Sequence, residues 1–314
     1  METFSTTDAA LAGFRLVREH PRTVAVWGVI QLVVSAVTNV LMIVSGGSDL
    51  HFLTKWPPST ADVARMQGEM QALAPVSLLC MLLNMVAFAI IFTGVYRVLL
   101  RPADRGLAHL RFGRDEVRQF LALLAWALAM LAAYLAAVIV GGLVVWVVHL
   151  VTGAQSALSA LVLLVATLGV FGFLIYAAVR TSFIGVVTFM TGKIDLKGTL
   201  ALTRGRFWRL FGTYVLAFVL FVIVNLVVMM LATMLGLIAG GLAGASQVLQ
   251  PDVSSLSFLL TPTGAVSLLA VCAMSVLGTL VLFAPIPEIY RQLTASKIDL
   301  TTPSWPVLNH DAEG

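Results

Sequence analysis

Six long apolar stretches constrain this chain more than any other feature of its sequence. They lie at 23–44, 74–97, 119–149, 156–179, 213–240 and 264–287. A helix needs about twenty apolar residues to cross the hydrocarbon core of a bilayer, and each stretch is long enough. With 60% hydrophobic and 11% charged residues, the chain carries more apolar surface than a single soluble core can hide. We therefore predict an all-α fold, a polytopic transmembrane bundle of six spans.

The polar segments between these stretches are short, which predicts one transmembrane domain over 1–300 and a polar C-terminal tail over 301–314. Before the first stretch, arginines follow a polar start. A cleaved signal peptide has the opposite order, a positive start and then an apolar core. We therefore expect the first span to be retained.

Basic residues are distributed unevenly between the two sides of the predicted bundle. Seventeen of the nineteen lie before the first span, in the second and fourth connections, and after the last span. Only Lys55 and Arg65 lie on the other side. Because positively charged loops stay on the cytoplasmic side of a membrane, this asymmetry predicts that both termini are cytoplasmic.

Arginines recur before the odd-numbered spans with a helical spacing that makes one strip along a helix. The recurring positions are Arg15, Arg18 and Arg22, then Arg111, Arg114 and Arg118, then Arg206 and Arg209 with Thr213 in third place. One interpretation is a threefold repeat of a basic interfacial helix and a transmembrane hairpin, with units 1–97, 98–190 and 191–293. The alternative is chance, because arginines are dense in these segments.

Three local structures are expected on the basic side. Residues 196–210 read as one amphipathic surface helix that turns into the fifth span, with Gly205 and Gly212 easing the turn. The first interfacial helix is expected to begin at Thr7 or Asp8 and to end at Pro21. The short apolar segment after Arg180 suits an interfacial elbow better than a re-entrant segment.

Basic clusters beside membrane spans attract acidic headgroups. The candidate contacts to anionic lipid are Arg15, Arg18, Arg111, Arg114, Arg204, Arg206, Arg209 and Trp208. Neutralising Arg206 and Arg209 together should then weaken the retention of anionic phospholipid. The alternative is that these arginines only determine topology.

Few polar groups fall within the spans, so we expect no catalytic, cofactor-binding or metal-binding residue. Asn39, Asn84 and Asn225 suit interhelical hydrogen bonds, with substrate contact as the alternative. His149 reads as interfacial and Glu288 as a helix exit, in water or paired with Arg291. A role as a ligand or proton relay for His149, and a functional role for Glu288, remain open. Cys80 and Cys272 lie in apolar runs and read as buried hydrophobic residues.

Residues 180–212, with Arg180 closing a span and "LTRGRFWRLFG" opening the next, resemble bacterial six-span membrane proteins. That group includes the membrane domain of the glycerophosphoryl diester phosphodiesterase family, and "IYRQL" at 289–293 is similar to its final exit. The resemblance implies a polytopic protein of the bacterial inner membrane. It implies no phosphodiesterase activity, because that activity belongs to a separate soluble domain.

These observations favour a non-enzymatic integral membrane protein that organises or binds anionic lipid or membrane partners through a basic cytoplasmic rim. A small-molecule transporter or channel component is the alternative, although ion-coupled transport usually needs buried ionisable groups. A membrane-embedded enzyme has least support. The expected partners are membrane lipids and not nucleic acid, and homo-oligomers stay open.

Overall fold

The computed structural model describes residues 4–45, 60–101, 107–110, 113–153, 156–250 and 256–301. No β-strand occurs within these ranges. Their α-helices follow in this order: α1 (Thr6–Ala10), α2 (Ala12–Glu19), α3 (Pro21–Val44), α4 (Thr60–Leu100), α5 (Arg114–Thr152), α6 (Ala157–Thr181), α7 (Ile184–Thr191), α8 (Leu196–Thr203), α9 (Phe207–Leu249), α10 (Leu256–Leu259), α11 (Pro262–Phe283) and α12 (Pro285–Thr301).

The described residues include six helical stretches that are long and apolar enough to cross a membrane. They are Pro21–Val44, Met70–Leu100, Arg114–Thr152, Ala157–Thr191, Phe207–Leu249 and Pro262–Thr294. Each contains the larger part of one predicted span, so the all-α fold class and the number of spans are confirmed. The chain is a multi-pass membrane protein.

The six long helices are arranged in a row by their contacts. α5 packs between α6 and α4, α3 packs between α4 and α11, and α11 packs on α9. The two ends of the row also meet, because the ring of Tyr176 on α6 lies 5.3 Å from that of Phe207 on α9. Ser182, which follows α6, is hydrogen-bonded to the Tyr214 hydroxyl at 2.7 Å. The helices therefore form a partial ring that closes near these residues.

We call this closed region the arginine-rich end: it comprises α1, α2, the last turns of α4, the first turn of α5, α7, α8, the first turns of α9, and α12. Its core includes Tyr96, Phe183, Val186, Leu210 and Ile289. Burial differs between the spans, since no residue of the most apolar part of Arg114–Thr152 is buried, against 44% in Met70–Leu100 and in Pro262–Thr294. A large buried core thus lies beside the predicted basic segments.

The segment after Arg180 forms a short helix that is buried among other helices. It is α7, whose residues from Ile184 to Phe189 are all buried. α7 contacts α4, α5, α8 and α12. This apolar helix therefore fills the core of the arginine-rich end, and its position at a membrane interface stays a prediction.

The first interfacial helix is broken into parts. Ser5, not Thr7 or Asp8, caps α1 by accepting a hydrogen bond from the Asp8 backbone nitrogen. The predicted end of this helix at Pro21 is confirmed, because α2 ends at Glu19 and His20, directly before the proline, has left the helical conformation. Pro21 then begins α3, since proline suits a first helical position. The arginine strip consequently does not lie on one helix, because its third member belongs to α3.

The other two strips are also interrupted. Gly113 has an extended backbone and α5 begins at Arg114, so no helix continues back from Arg114 through Gly113. α8 ends at Thr203 and α9 begins at Phe207, with Gly205 at φ +73° between them. The continuous helix over 196–210 is therefore wrong. The turn at Gly205 is confirmed, whereas Gly212 lies inside α9.

Candidate functional site

Most of the predicted lipid contacts lie on the surface of the arginine-rich end. Arg18, Arg114, Arg204 and Arg209 are exposed, and none is within ion-pairing distance of a carboxylate among the described residues. Trp208 is 78% exposed. These five side chains are accessible to a ligand from outside the bundle.

The remaining predicted contacts differ from this pattern. Arg15 lies 3.5 Å from a carboxylate oxygen of Glu288. Arg206 is half-buried and donates from Nη1 to the Leu202 carbonyl oxygen at 3.0 Å. Arg111 lies outside the described residues. Arg15 and Arg206 are thus held by the protein itself.

Glu288, on α12, is a buried carboxylate whose two oxygen atoms differ in their contacts. Its Oε1 accepts hydrogen bonds from Arg291 at 2.8 Å and Gln292 at 2.9 Å. Arg15 approaches the same oxygen. Its Oε2 has no hydrogen-bond partner within the described ranges, although the residue is only 2% exposed. The pair with Arg291 was predicted, but the alternative of Glu288 in water is wrong.

A cavity of about 360 Å³ lies beside this carboxylate, between α2, the end of α4 and α12. Its charged lining is Arg15, Glu19, Glu288 and Arg291, and His20 also lines it. Apolar residues complete the wall, including Leu16 and Val98. Because it combines an apolar wall with a few convergent charged groups, the cavity has the character of a ligand site.

A second buried ion pair connects α4 and α5. Arg97 Nη1 lies 2.6 Å from Glu116 Oε1, and both residues are buried. Arg97 also donates to the His109 carbonyl oxygen at 3.0 Å, and Glu116 Oε2 accepts from the Gly113 nitrogen at 2.9 Å. Asp115 lies 3.6 Å from Arg97. This network joins the connection at 107–113 to two spans.

The same network supports a strained turn. Ala108 and His109 have φ values of +51° and +57°, which non-glycine residues adopt rarely. The Trp27 indole donates to the Ala108 carbonyl oxygen at 3.2 Å, and Arg97 donates to the next carbonyl. Two buried side chains therefore hold this connection against the spans.

The polar residues of the spans serve local structure. The amide nitrogens of Asn39, Asn84 and Asn225 each donate to the carbonyl four residues earlier in the same helix. The expected interhelical bonds of these amides are therefore wrong. His149 Nδ1 lies 2.6 Å from the Ser159 hydroxyl, which joins α5 to α6 at the opposite end of the bundle.

Sequence reasoning missed the buried charges because their partners are remote in the chain. Glu288 and Arg15 are 273 residues apart, as their numbers give. Glu116 pairs with Arg97 of α4, whereas its neighbour Asp115 lies 3.8 Å from Arg118 of its own helix. One local signal existed, since Gly113 and Glu116 have the spacing of an N-cap and the third helical residue.

No protein-family model matches this chain, no curated protein is detectably similar to it, and no solved structure matches it. The resemblance of residues 180–212 to a membrane-domain family thus stays a prediction.

Proposed function

We propose that this membrane protein is non-enzymatic and binds anionic phospholipid through its arginine-rich end, on the cytoplasmic side of a bacterial inner membrane. The observation that carries the proposal is a set of four exposed arginines that form no ion pair with any carboxylate in the described part of the chain: Arg18, Arg114, Arg204 and Arg209. An exposed basic side chain near a membrane surface gains about 1 kcal/mol from an acidic headgroup. Trp208 suits the same level, because its ring prefers the headgroup region.

The structure favours this proposal over transport. A substrate path through the bundle would need polar groups with free hydrogen-bonding capacity facing it. Asn84 and Asn225 each direct one N–H to a carbonyl oxygen of their own helix, which leaves one N–H and Oδ1 of each amide as the remaining polar groups. The buried charges lie in ion pairs at the arginine-rich end, which does not resemble a chain of ionisable groups crossing a membrane.

The test neutralises two exposed arginines in the variant Arg204→Gln/Arg209→Gln. Arg204 is preferred to Arg206, because Arg206 is bonded to the Leu202 carbonyl oxygen. Two charges at about 1 kcal/mol each correspond to roughly 30-fold weaker binding of phosphatidylglycerol at low salt. Binding is measured by titrating vesicle lipid into purified protein, with bound lipid counted by native mass spectrometry.

The matched control is Arg204→Lys/Arg209→Lys, which keeps both charges and should retain binding. Raised salt should weaken the binding of phosphatidylglycerol by the wild-type protein, because these charges are exposed to solvent. It should also reduce the difference in affinity between the wild-type protein and the glutamine variant. Unchanged binding of phosphatidylglycerol by the glutamine variant would contradict the proposal.

A further inference from the structure

The cavity beside Glu288 has an unused acceptor. Oε1 of Glu288 is occupied by two hydrogen bonds and approached by Arg15, whereas the buried Oε2 has none. A buried carboxylate oxygen without a partner carries a desolvation cost that a ligand donor can remove. Glu288 lines the cavity and Oε2 is its oxygen without a hydrogen bond among the described residues, but that atom is buried, so the carboxylate has to turn toward the cavity for a ligand donor to reach it.

The charges around the cavity balance. Arg15 and Arg291 contribute two positive charges, and Glu19 and Glu288 contribute two negative charges. The guanidinium groups are not confined to the interior, because the side chains of Arg15 and Arg291 are 37% and 52% exposed. They can therefore serve a ligand as well as Glu288. A ligand with both signs of charge suits this arrangement better than a simple anion.

The position of the cavity favours a headgroup. Leu11, which directly precedes α2, and Phe14 of α2 are exposed apolar residues close to Arg15 in the chain, and Arg15 itself borders the surface depression formed with them. An apolar helix face beside a charged group is typical of the membrane interface. The cavity volume of about 360 Å³ lies within the usual range for small-ligand sites, roughly 300–1,000 Å³.

We propose that this cavity binds one phosphate ester that carries a primary ammonium group, the chemistry of a phosphatidylethanolamine headgroup. The ammonium group donates to Oε2 of Glu288, and the phosphate accepts from Arg15 and Arg291. Arginine suits this role because its guanidinium group matches phosphate geometry. The site differs from the exposed arginines of the proposed function, which take anionic lipid.

The decisive experiment compares headgroups on the wild-type protein. Purified protein is placed in nanodiscs containing equal amounts of phosphatidylethanolamine, phosphatidylcholine and phosphatidylglycerol, and tightly bound lipid is identified by native mass spectrometry. Phosphatidylcholine has a quaternary ammonium group without an N–H donor. Because hydrogen bonds to charged groups are among the stronger ones, we expect phosphatidylethanolamine to be preferred to phosphatidylcholine by about tenfold.

Two variants test whether Glu288 is responsible for the preference for phosphatidylethanolamine. Glu288→Gln removes the negative charge, so the ratio of bound phosphatidylethanolamine to bound phosphatidylcholine should fall close to one. Arg22→Gln is the matched control, because Arg22 is exposed and does not line the cavity; it should leave the preference unchanged. If Glu288→Gln does not fold, the wild-type comparison still decides the proposal.

Competition by a water-soluble compound shows whether the cavity recognises the headgroup alone. Displacement of the bound lipid by O-phosphoethanolamine supports the same chemistry and shows that the acyl chains are not required. The proposal would be overturned if the wild-type protein retained phosphatidylethanolamine and phosphatidylcholine equally. It would also be overturned if a preference for phosphatidylglycerol survived in Arg204→Gln/Arg209→Gln. Loss of phosphatidylglycerol in that double variant, with the ethanolamine preference intact, would separate this site from the exposed arginines.

Discussion

Arg97 is a buried cation at the end of an apolar helix, and several oxygen atoms surround it. Glu116 lies at 2.6 Å, the His109 carbonyl oxygen at 3.0 Å and Asp115 at 3.6 Å. A buried charge is tolerated when a partner and hydrogen bonds compensate for lost hydration. Removing one partner leaves the other charge buried and unpaired, so the damage should exceed the net contribution of the pair.

Arg97→Gln should therefore lower the free energy of unfolding by about 3–5 kcal/mol. Glutamine cannot neutralise Glu116, and it loses a donor to the strained turn at His109. The measurement is thermal or denaturant unfolding of the protein in detergent. Arg118→Gln is the control, because Arg118 is about half exposed, at 45%, and pairs with Asp115 at a longer distance of 3.8 Å. An exposed pair of this kind contributes about 0–1 kcal/mol.

A double-mutant cycle separates the ion pair from general damage. Arg97→Gln/Glu116→Gln removes both charges, so it should be destabilised by less than the sum of the two single variants. Strictly additive losses would show that the two side chains do not interact.

At the scale of elements, the sequence predicts the spans well and their connections poorly. A span is specified by the summed hydropathy of about twenty residues, so single errors have little effect. A connection depends on individual backbone conformations. Ser5 and not Thr7 or Asp8 caps α1, and Leu11 separates α1 from α2. The burial of α7 depends on four other helices, and no property of its own sequence reveals them.

α2 packs closely on α11 at Gly13, where only glycine leaves enough space. A Cβ atom at Gly13 would lie 2.6 Å from the backbone oxygen of Leu280 and 2.9 Å from the Cα of Val281. Gly13→Ala should therefore push α2 away from α11 and destabilise the protein by about 1–3 kcal/mol. Because α2 carries Arg15, the variant should also weaken lipid retention in the cavity beside Glu288.

Gly212→Ala is the matched control for this substitution. Gly212 lies within α9, and a Cβ atom there would meet nothing within 4 Å. Alanine is the better helix former, so this variant should be neutral or more stable by up to about 1 kcal/mol. Unfolding in detergent measures both variants, and equal stability of Gly13→Ala and wild type would refute the close approach.

At the scale of the whole molecule, two of the spans leave nearly all of their most apolar part unburied by the protein. The most apolar part of α5 has no buried residue and that of Ala157–Thr191 has 6%. Such surfaces are stable only when something apolar covers them, and the hydrocarbon core of a bilayer does so. The arginine-rich end instead has its own core and ion pairs. This division predicts that the bundle keeps one fixed orientation, with the arginine-rich end on one side.

Cysteine labelling tests that orientation. In a Cys80→Ala/Cys272→Ala background, Arg18→Cys and Lys197→Cys place thiols at exposed positions of the arginine-rich end, and Leu260→Cys places one just before α11, at the end of that helix remote from α12. Because basic segments stay in the cytoplasm, a membrane-impermeant maleimide should label Leu260→Cys in intact cells. It should label the other two only in inverted vesicles. Labelling of Arg18→Cys and Lys197→Cys from opposite sides would contradict a single arginine-rich end, whereas labelling of both in intact cells would reverse the proposed orientation.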